Sequence, residues 1–213
     1  MLNLYLIRHA ESEAQKQPHI VCGRSNEVPL TRLGEFQAEG LGKRLAKEGV
    51  KFDYVYSSVA ERAKETAKIA IESMETNNEI QLREECLEQS QGDWEGQPRS
   101  EVMSKEVKDQ MHWGYRPPNG ESKEDVAERM HNWIEKEIMP MCAEGKNVNV
   151  AVFTHQWAIK CFLQKIYGTE TTTANAMIVD NTSVTHLQFN PKWRSAKVND
   201  SEHLYVLGLK IKR

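Results

Sequence analysis

Apolar residues fall in short blocks that end on polar pairs. Leu2 to Ile7 is an apolar run of strand length closed by Arg8 and His9. Its aliphatic and aromatic side chains suit a pleated, buried segment better than a helix. Val148 to Phe153 repeats the form and ends on Thr154 and His155. Phe52 to Ser57 and Glu79 to Arg83 predict two more strands, and strand character at 183–189 and 203–210 predicts a β-rich finish. Thr31 is placed to cap a helix through about Glu48, with Gly49 after its end. Ser58-Val59-Ala60-Glu61 fits a capping box, and the helix it opens carries Ala63, Ala67, Ala70 and Met74 on one narrow face. A short polar helix around 99–110 follows, then an amphipathic one marked by Val126, Met130, Trp133 and Ile134 to about Met139. The last predicted helix is at roughly 157–167. Residues 10–29, broken by Pro18, Gly23 and Pro29, and residues 86–98 read as loops.

Strands alternating with helices predict an α/β fold, a three-layer sandwich with a mostly parallel central sheet flanked by helices. The 213 residues suit a single domain over 1–213, with residues 97–122 as a small helical lid. In such sheets functional groups gather beyond the carboxyl ends of the strands. Arg8, His9, Ser57 and His155 would all stand there.

Composition narrows the partners. A net charge of −3 gives no basic field for nucleic acid, and no apolar run is long enough to cross a bilayer. Cys22, Cys86, Cys142 and Cys161 are scattered, so free thiols and a soluble, intracellular, cytoplasmic protein are expected.

Arg8 cannot shed its proton, so a buried strand end carrying it asks for an anion; a polar end facing water is the plainer alternative. Arg62 sits near a helix amino end, where a cation is mildly disfavoured unless that end faces a bound anion. Otherwise it is a surface arginine reaching Glu61 or Glu65. His155 repeats the logic of His9, whereas Glu88, beside Glu84 and Glu85, is by itself one more solvated acid.

Together these stretches match a family. Leu6-Ile7-Arg8-His9-Ala10-Glu11-Ser12 resembles the signature of the histidine phosphatase (phosphoglycerate mutase-like) superfamily. Pro29-Leu30-Thr31, Tyr56-Ser57-Ser58 through Arg62-Ala63, and Leu87-Glu88 with Gly92-Asp93-Trp94-Glu95-Gly96 resemble its later segments. So do Pro118-Asn119-Gly120-Glu121-Ser122, Val152-Phe153-Thr154-His155 and Asn181-Thr182-Ser183. The resemblance implies a phosphoric monoester hydrolase needing no cofactor and no metal. His9 would be the nucleophile, Arg8, Arg62 and His155 the phosphoryl clamp, and Glu88 the general acid. Glu88 would need its pKa raised above the ordinary ~4.3. Gln15, Cys22, Gly23 and Gln156 are the expected substrate contacts.

Departures from the family pattern bear on substrate choice. Ala10 replaces a glycine, Gln15 stands for an asparagine, and Gln156 and Trp157 occupy usually small positions. His112, Trp113, Tyr115 and Arg116 of the lid are candidate substrate contacts, and the basic end 210–213 could fold toward an acidic substrate. The expected substrate is a small phosphorylated metabolite such as phosphoserine, a phosphoglycerate or a sugar phosphate. A homodimer is the base-rate expectation. A cofactor-dependent phosphoglycerate mutase is the nearest alternative. Mutases of the family carry extra length and a charged segment after the glutamate loop, which favours hydrolysis here. A metal-dependent hydrolase lacks ligand spacing, and a phosphate-binding relic would have no need of all five catalytic positions.

Overall fold

A computed structural model describes residues 1–209, so the basic end at 210–213 lies outside the described residues. Six strands form one mixed sheet: β1 Leu2–Arg8, β2 Tyr54–Ser58, β3 Ile80–Arg83, β4 Val148–Thr154, β5 Val184–Phe189 and β6 Trp193–Asp200. Their spatial order is β3-β2-β4-β1-β5-β6. The pairs β2·β3, β2·β4 and β1·β4 are parallel, and β1·β5 and β5·β6 are antiparallel. The parallel part is the half that carries the polar strand ends.

The sheet is covered on both faces, as the near-continuous apolar strands require. Leu2, Leu4 and Leu6, with Val148, Val150 and Val152, share a core with Val126, Met130 and Phe162. Those three belong to α5 Lys123–Trp133 and α6 Gln156–Tyr167. Ile7, Ala151 and Phe153 point the other way, toward Leu41, Leu45, Ala67 and Ala70 of α1 Arg32–Lys47 and α2 Glu61–Ser73. Side chains that alternate along a strand feed both layers. The small face of α2 lets α1 come close: a Cβ on Gly42 would lie 2.3 Å from the Ala70 carbonyl oxygen.

Thr31 caps α1 as expected, its hydroxyl accepting from Gly34 N–H at 2.9 Å. Ser58 does not cap α2. The N-cap is Ala60, with no side-chain cap bond; Ser58 ends β2, and its hydroxyl bonds His155 Nε2 while accepting from the Ala60 N–H at 3.3 Å. The polar stretch after Pro98 forms two short helices, α3 Arg99–Val102 and α4 Lys105–Gln110, divided where Ser104 caps the second. The amphipathic helix ends at Trp133 and continues as a π turn, Ile134–Ile138, and a 3-10 stretch, Met139–Gly145.

The finish is half as expected. β5 forms, but residues 202–206 are helical, as α8 Glu202–Val206, after the short α7 Thr171–Ala176. Leu204 is buried there, and Leu207 beyond it reaches Gly40 of α1, which a strand alternation would not allow. The last strand is instead β6, a largely exposed edge whose polar sequence carries no apolar alternation.

Gly92 pins the Glu88 loop to the turn at Pro118. Its φ is +53° and a Cβ there would lie 2.0 Å from the Pro118 carbonyl oxygen. Left-handed backbone and direct overlap both oppose a side chain. Gly92→Ala is expected to cost about 2 kcal/mol or more in urea unfolding; an unchanged midpoint would show that this contact does not hold the loop.

Candidate active site

The parallel register of β1 and β4 brings the two histidines together. Leu6 faces Val152 and Arg8 faces Thr154, so both chains leave the sheet at one height. The His9 N–H donates to the Thr154 carbonyl at 2.9 Å, and the His9 and His155 rings lie 5.1 Å apart. β2 is the next strand, with Ser57 opposite Phe153, which sets Ser58 beside His155. The Ser58 hydroxyl hydrogen-bonds His155 Nε2 at 2.9 Å. Arg62, the second residue of α2, is buried and donates to the carbonyls of Ser25 at 2.9 Å and Gly23 at 3.3 Å. Arg8 donates to the Val179 carbonyl at 2.6 Å. Arg8, His9, Arg62 and Glu88 line one cleft of about 620 Å³, with His155 against His9.

Hydrogen bonding fixes the tautomer of His9. Its Nδ1 lies 2.7 Å from the Ala10 carbonyl oxygen. A carbonyl can only accept, so Nδ1 carries the proton and Nε2 keeps its lone pair. Burial first, then the positive charges of Arg62 and Arg8, pushes the His9 pKa well below the ordinary histidine value. The same causes, burial foremost, hold His155 low. Both rings are therefore neutral near pH 7.

Glu88 moves the other way. Burial raises its pKa, against the backbone N–H groups of Gln89 and Trp157 and the charges of Arg62 and Arg8. Its Oε1 accepts from both Gln89 N–H and Trp157 N–H at 3.0 Å. Oε2 has only a 3.3 Å contact to Trp157 N–H, so a proton is best placed on Oε2.

Among the described residues, neither Arg8 nor Arg62 is ion-paired. Arg8 Nε and His155 Nδ1 are buried without a hydrogen-bond partner among those residues. A buried Arg62 and a partly buried Arg8, held by carbonyl oxygens and with no carboxylate in ion-pair contact among the described residues, are costly to desolvate unless an anion joins them. The arrangement is a socket for a tetrahedral anion, with a nucleophilic nitrogen at one side and a carboxyl group able to hold a proton.

The other expected contacts fare unevenly. Gln15, Cys22, Gly23 and Gln156 all line the cleft. The Gln15 amide is already engaged: Oε1 accepts from Ser12 N–H at 3.1 Å, and Nε2 donates to Asn181 Oδ1 at 3.0 Å. Asn181 in turn donates to the His9 carbonyl at 3.0 Å. Ala10 is fully buried and is not among the residues with positive φ, so the missing glycine costs no backbone strain. None of His112, Trp113, Tyr115 and Arg116 lines the cleft. Trp113 is a core residue and Arg116 pairs with Asp125 at 2.7 Å. In their place Arg99, Met103, Met111 and Lys123 form the outer wall. No helix among the described residues is long and apolar enough to cross a membrane, and all four cysteines are free.

Three supporting residues escaped the sequence. Ser58 looked like a helix cap. Glu95 gathers two loops, its Oε1 accepting from Arg24 N–H at 3.0 Å and Gln91 N–H at 2.8 Å. Arg129 donates to the carbonyls of Glu85 at 2.7 Å and Glu88 at 3.0 Å and pairs with Glu121 at 3.0 Å. The segment around Trp94-Glu95-Gly96 was a visible signal for Glu95, but nothing local singles out Arg129.

Comparison with known proteins agrees with this geometry. The model of the histidine phosphatase superfamily (branch 1) matches residues 4–201. The 2,3-bisphosphoglycerate-dependent phosphoglycerate mutase of Parvibaculum lavamentivorans is 33% identical over 154 residues, 70% of this chain and 72% of the mutase. The fructose-2,6-bisphosphatase TIGAR of Xenopus tropicalis is 35% identical over 136 residues, 62% of this chain and 48% of that protein. The solved structure of Bacillus stearothermophilus YhfR superposes with a TM-score of 0.81 at 27% identity, covering 96% of this chain and 100% of that one. The aligned shares of this chain and the mutase are nearly equal, so the two are of similar length. Short length therefore gives no argument against a mutase.

Proposed function

Because the chain belongs to the histidine phosphatase superfamily (branch 1), we propose that it is a metal-independent phosphomonoesterase acting on a small phosphorylated metabolite through a phosphohistidine at His9. The observation that carries this reading is a pair of guanidinium groups, Arg62 buried and Arg8 partly so, with no ion-pair partner among the described residues, beside an imidazole whose Nε2 lone pair is free. A phosphoryl dianion satisfies Arg8, Arg62 and the unpartnered His155 Nδ1 at once. His9 Nε2 attacks phosphorus, the P–O bond breaks, and Glu88 Oε2 delivers its proton to the departing alkoxide. Water then enters, gives a proton to Glu88 and attacks phosphorus, and the N–P bond breaks to release inorganic phosphate. The clamp holds the equatorial oxygens through both steps.

Room favours hydrolysis over transfer. A cleft of about 620 Å³ is much larger than a three-carbon phosphoester and leaves space for water beside the phosphohistidine. The mutase reading has the identity to a phosphoglycerate mutase behind it. Phosphate release and interconversion of 2- and 3-phosphoglycerate, measured side by side with 2,3-bisphosphoglycerate present, separate the two. Release without interconversion is expected, and the reverse result would make the protein a mutase. Trapping of ³²P on the protein after an acid-free quench is expected in either case; its absence despite tight phosphoester binding would point to a non-catalytic protein.

A further inference from the structure

Two ammonium groups stand beside the reaction described above and take no part in it. Lys123, the first residue of α5, lines the cleft with His9 and Glu88. Its Nζ lies 4.0 Å from the centroid of the Trp157 ring and 5.4 Å from that of Trp113. Lys160 of α6 is almost fully buried, with its Nζ 4.7 Å from the same Trp157 centroid. Both converge on one residue of α7: Lys123 donates to Asn175 Oδ1 at 2.9 Å and Lys160 to the Asn175 carbonyl at 3.1 Å. Neither is ion-paired among the described residues. The acid whose charge reaches Lys160 is Glu88, whose carboxylate accepts from the Gln89 and Trp157 N–H groups.

Amide oxygens and an indole face compensate a buried ammonium only in part. Burial lowers the pKa of both lysines, and the charge of Lys123 lowers that of Lys160 further. An anion arriving between them and the cleft would relieve both penalties. Its place in the substrate follows from Trp157. The same residue that carries the lysines on its ring gives its backbone N–H to the Glu88 carboxylate. Glu88 serves the leaving oxygen, so Trp157 ties the lysines to the leaving-group side of the cleft.

We propose that Lys123, backed by Lys160 and seated on the Trp157 ring, forms a subsite for a second anionic group, carboxylate or phosphate, on the alcohol that leaves. Lys123 makes the contact, and the buried Lys160 adds to the positive field. The subsite rests on the hydrolase reading given above and specifies its substrate class. Trp157, at a position where small residues are usual in the family pattern, joins the two cations to the cleft: Lys123 lines it and the buried Lys160 stands on the same ring.

The test uses matched substrates. 3-Phosphoglycerate and glycerol 3-phosphate differ by a carboxylate, and fructose 1,6-bisphosphate and fructose 6-phosphate by a phosphate. The full-length protein is expected to favour the doubly anionic member of at least one pair by about tenfold or more in kcat/KM. The pair that shows the preference tells a carboxylate from a phosphate. Lys123→Met keeps the aliphatic stem on the rings and should bring that ratio to about one, chiefly by raising KM for the doubly anionic ester. Lys123→Arg should keep the preference. Equal kcat/KM within both pairs, or a preference that survives Lys123→Met, would overturn the subsite while phosphate release leaves the hydrolase reading intact. No release from any of these esters, nor from p-nitrophenyl phosphate, would overturn the hydrolase reading and the subsite with it.

Discussion

Alanine at position 9 is expected to cut phosphate release by at least about a thousandfold and to abolish ³²P trapping on the protein. Among the described residues, the ring makes its only hydrogen bond to the carbonyl of its own neighbour, Ala10. The flanking backbone is held by β4 and β5 whatever side chain stands there. The loss should therefore appear in the chemistry and not in folding, with a melting curve close to that of the unaltered protein. Arg8 and Arg62 remain in place in His9→Ala, so inorganic phosphate should still bind, as calorimetry can check. Undiminished turnover in a clean preparation would remove the covalent route altogether.

Glu88→Gln is the second large effect, and it is diagnostic through pH. The amide oxygen can still accept from Gln89 and Trp157, so the loop geometry is retained. A proton donor to the leaving oxygen is lost, which costs about 10²–10⁴-fold on alkyl phosphoesters. The cost should be far smaller on p-nitrophenyl phosphate, whose leaving group departs without a proton. The pH signs follow from the two opposed shifts. A raised Glu88 keeps its proton to higher pH than an ordinary glutamate, and the rate falls as pH climbs past that raised value. A lowered His9 stays unprotonated to lower pH than an ordinary histidine, and the rate falls only once pH drops below that value. The active window lies between them, with its optimum on the acidic side of neutral. Glu88→Gln should lose the alkaline limb and keep the acidic one. A rate in the unaltered protein still rising above about pH 8.5 would rule Glu88 out as the acid.

Much of the site was legible because its signals are local. An apolar run closing on Arg8 and His9 and a second closing on His155 are patterns within ten residues, and the α/β alternation follows from periodicity. Thr31 could be read as a cap because a cap bonds an amide three residues away. Ser58 carried the same local signal and was misread. Its decisive partner, His155, is 97 residues distant, and because Ser58 still belongs to β2 its hydroxyl meets the N–H of Ala60, the N-cap itself, in place of the amide a capping box would use. The edge strand β6 was invisible for the opposite reason: one exposed side leaves no apolar alternation to see.

By itself the sequence placed Arg8, His9 and His155 at the carboxyl edge of the sheet on an α/β frame, and its resemblance to the family added Arg62 and Glu88. Only the tertiary structure decided what those groups are. The parallel register of β1 and β4 set the rings side by side, and burial among distant segments drove His9 and Glu88 in opposite directions. It also gave the mouth of the cleft to Lys123, Arg99 and Trp157 and sent Trp113 into the core. The reason is physical: residue type and spacing dictate local backbone and inventory, whereas protonation and specificity depend on desolvation and on charges brought close from remote parts of the chain.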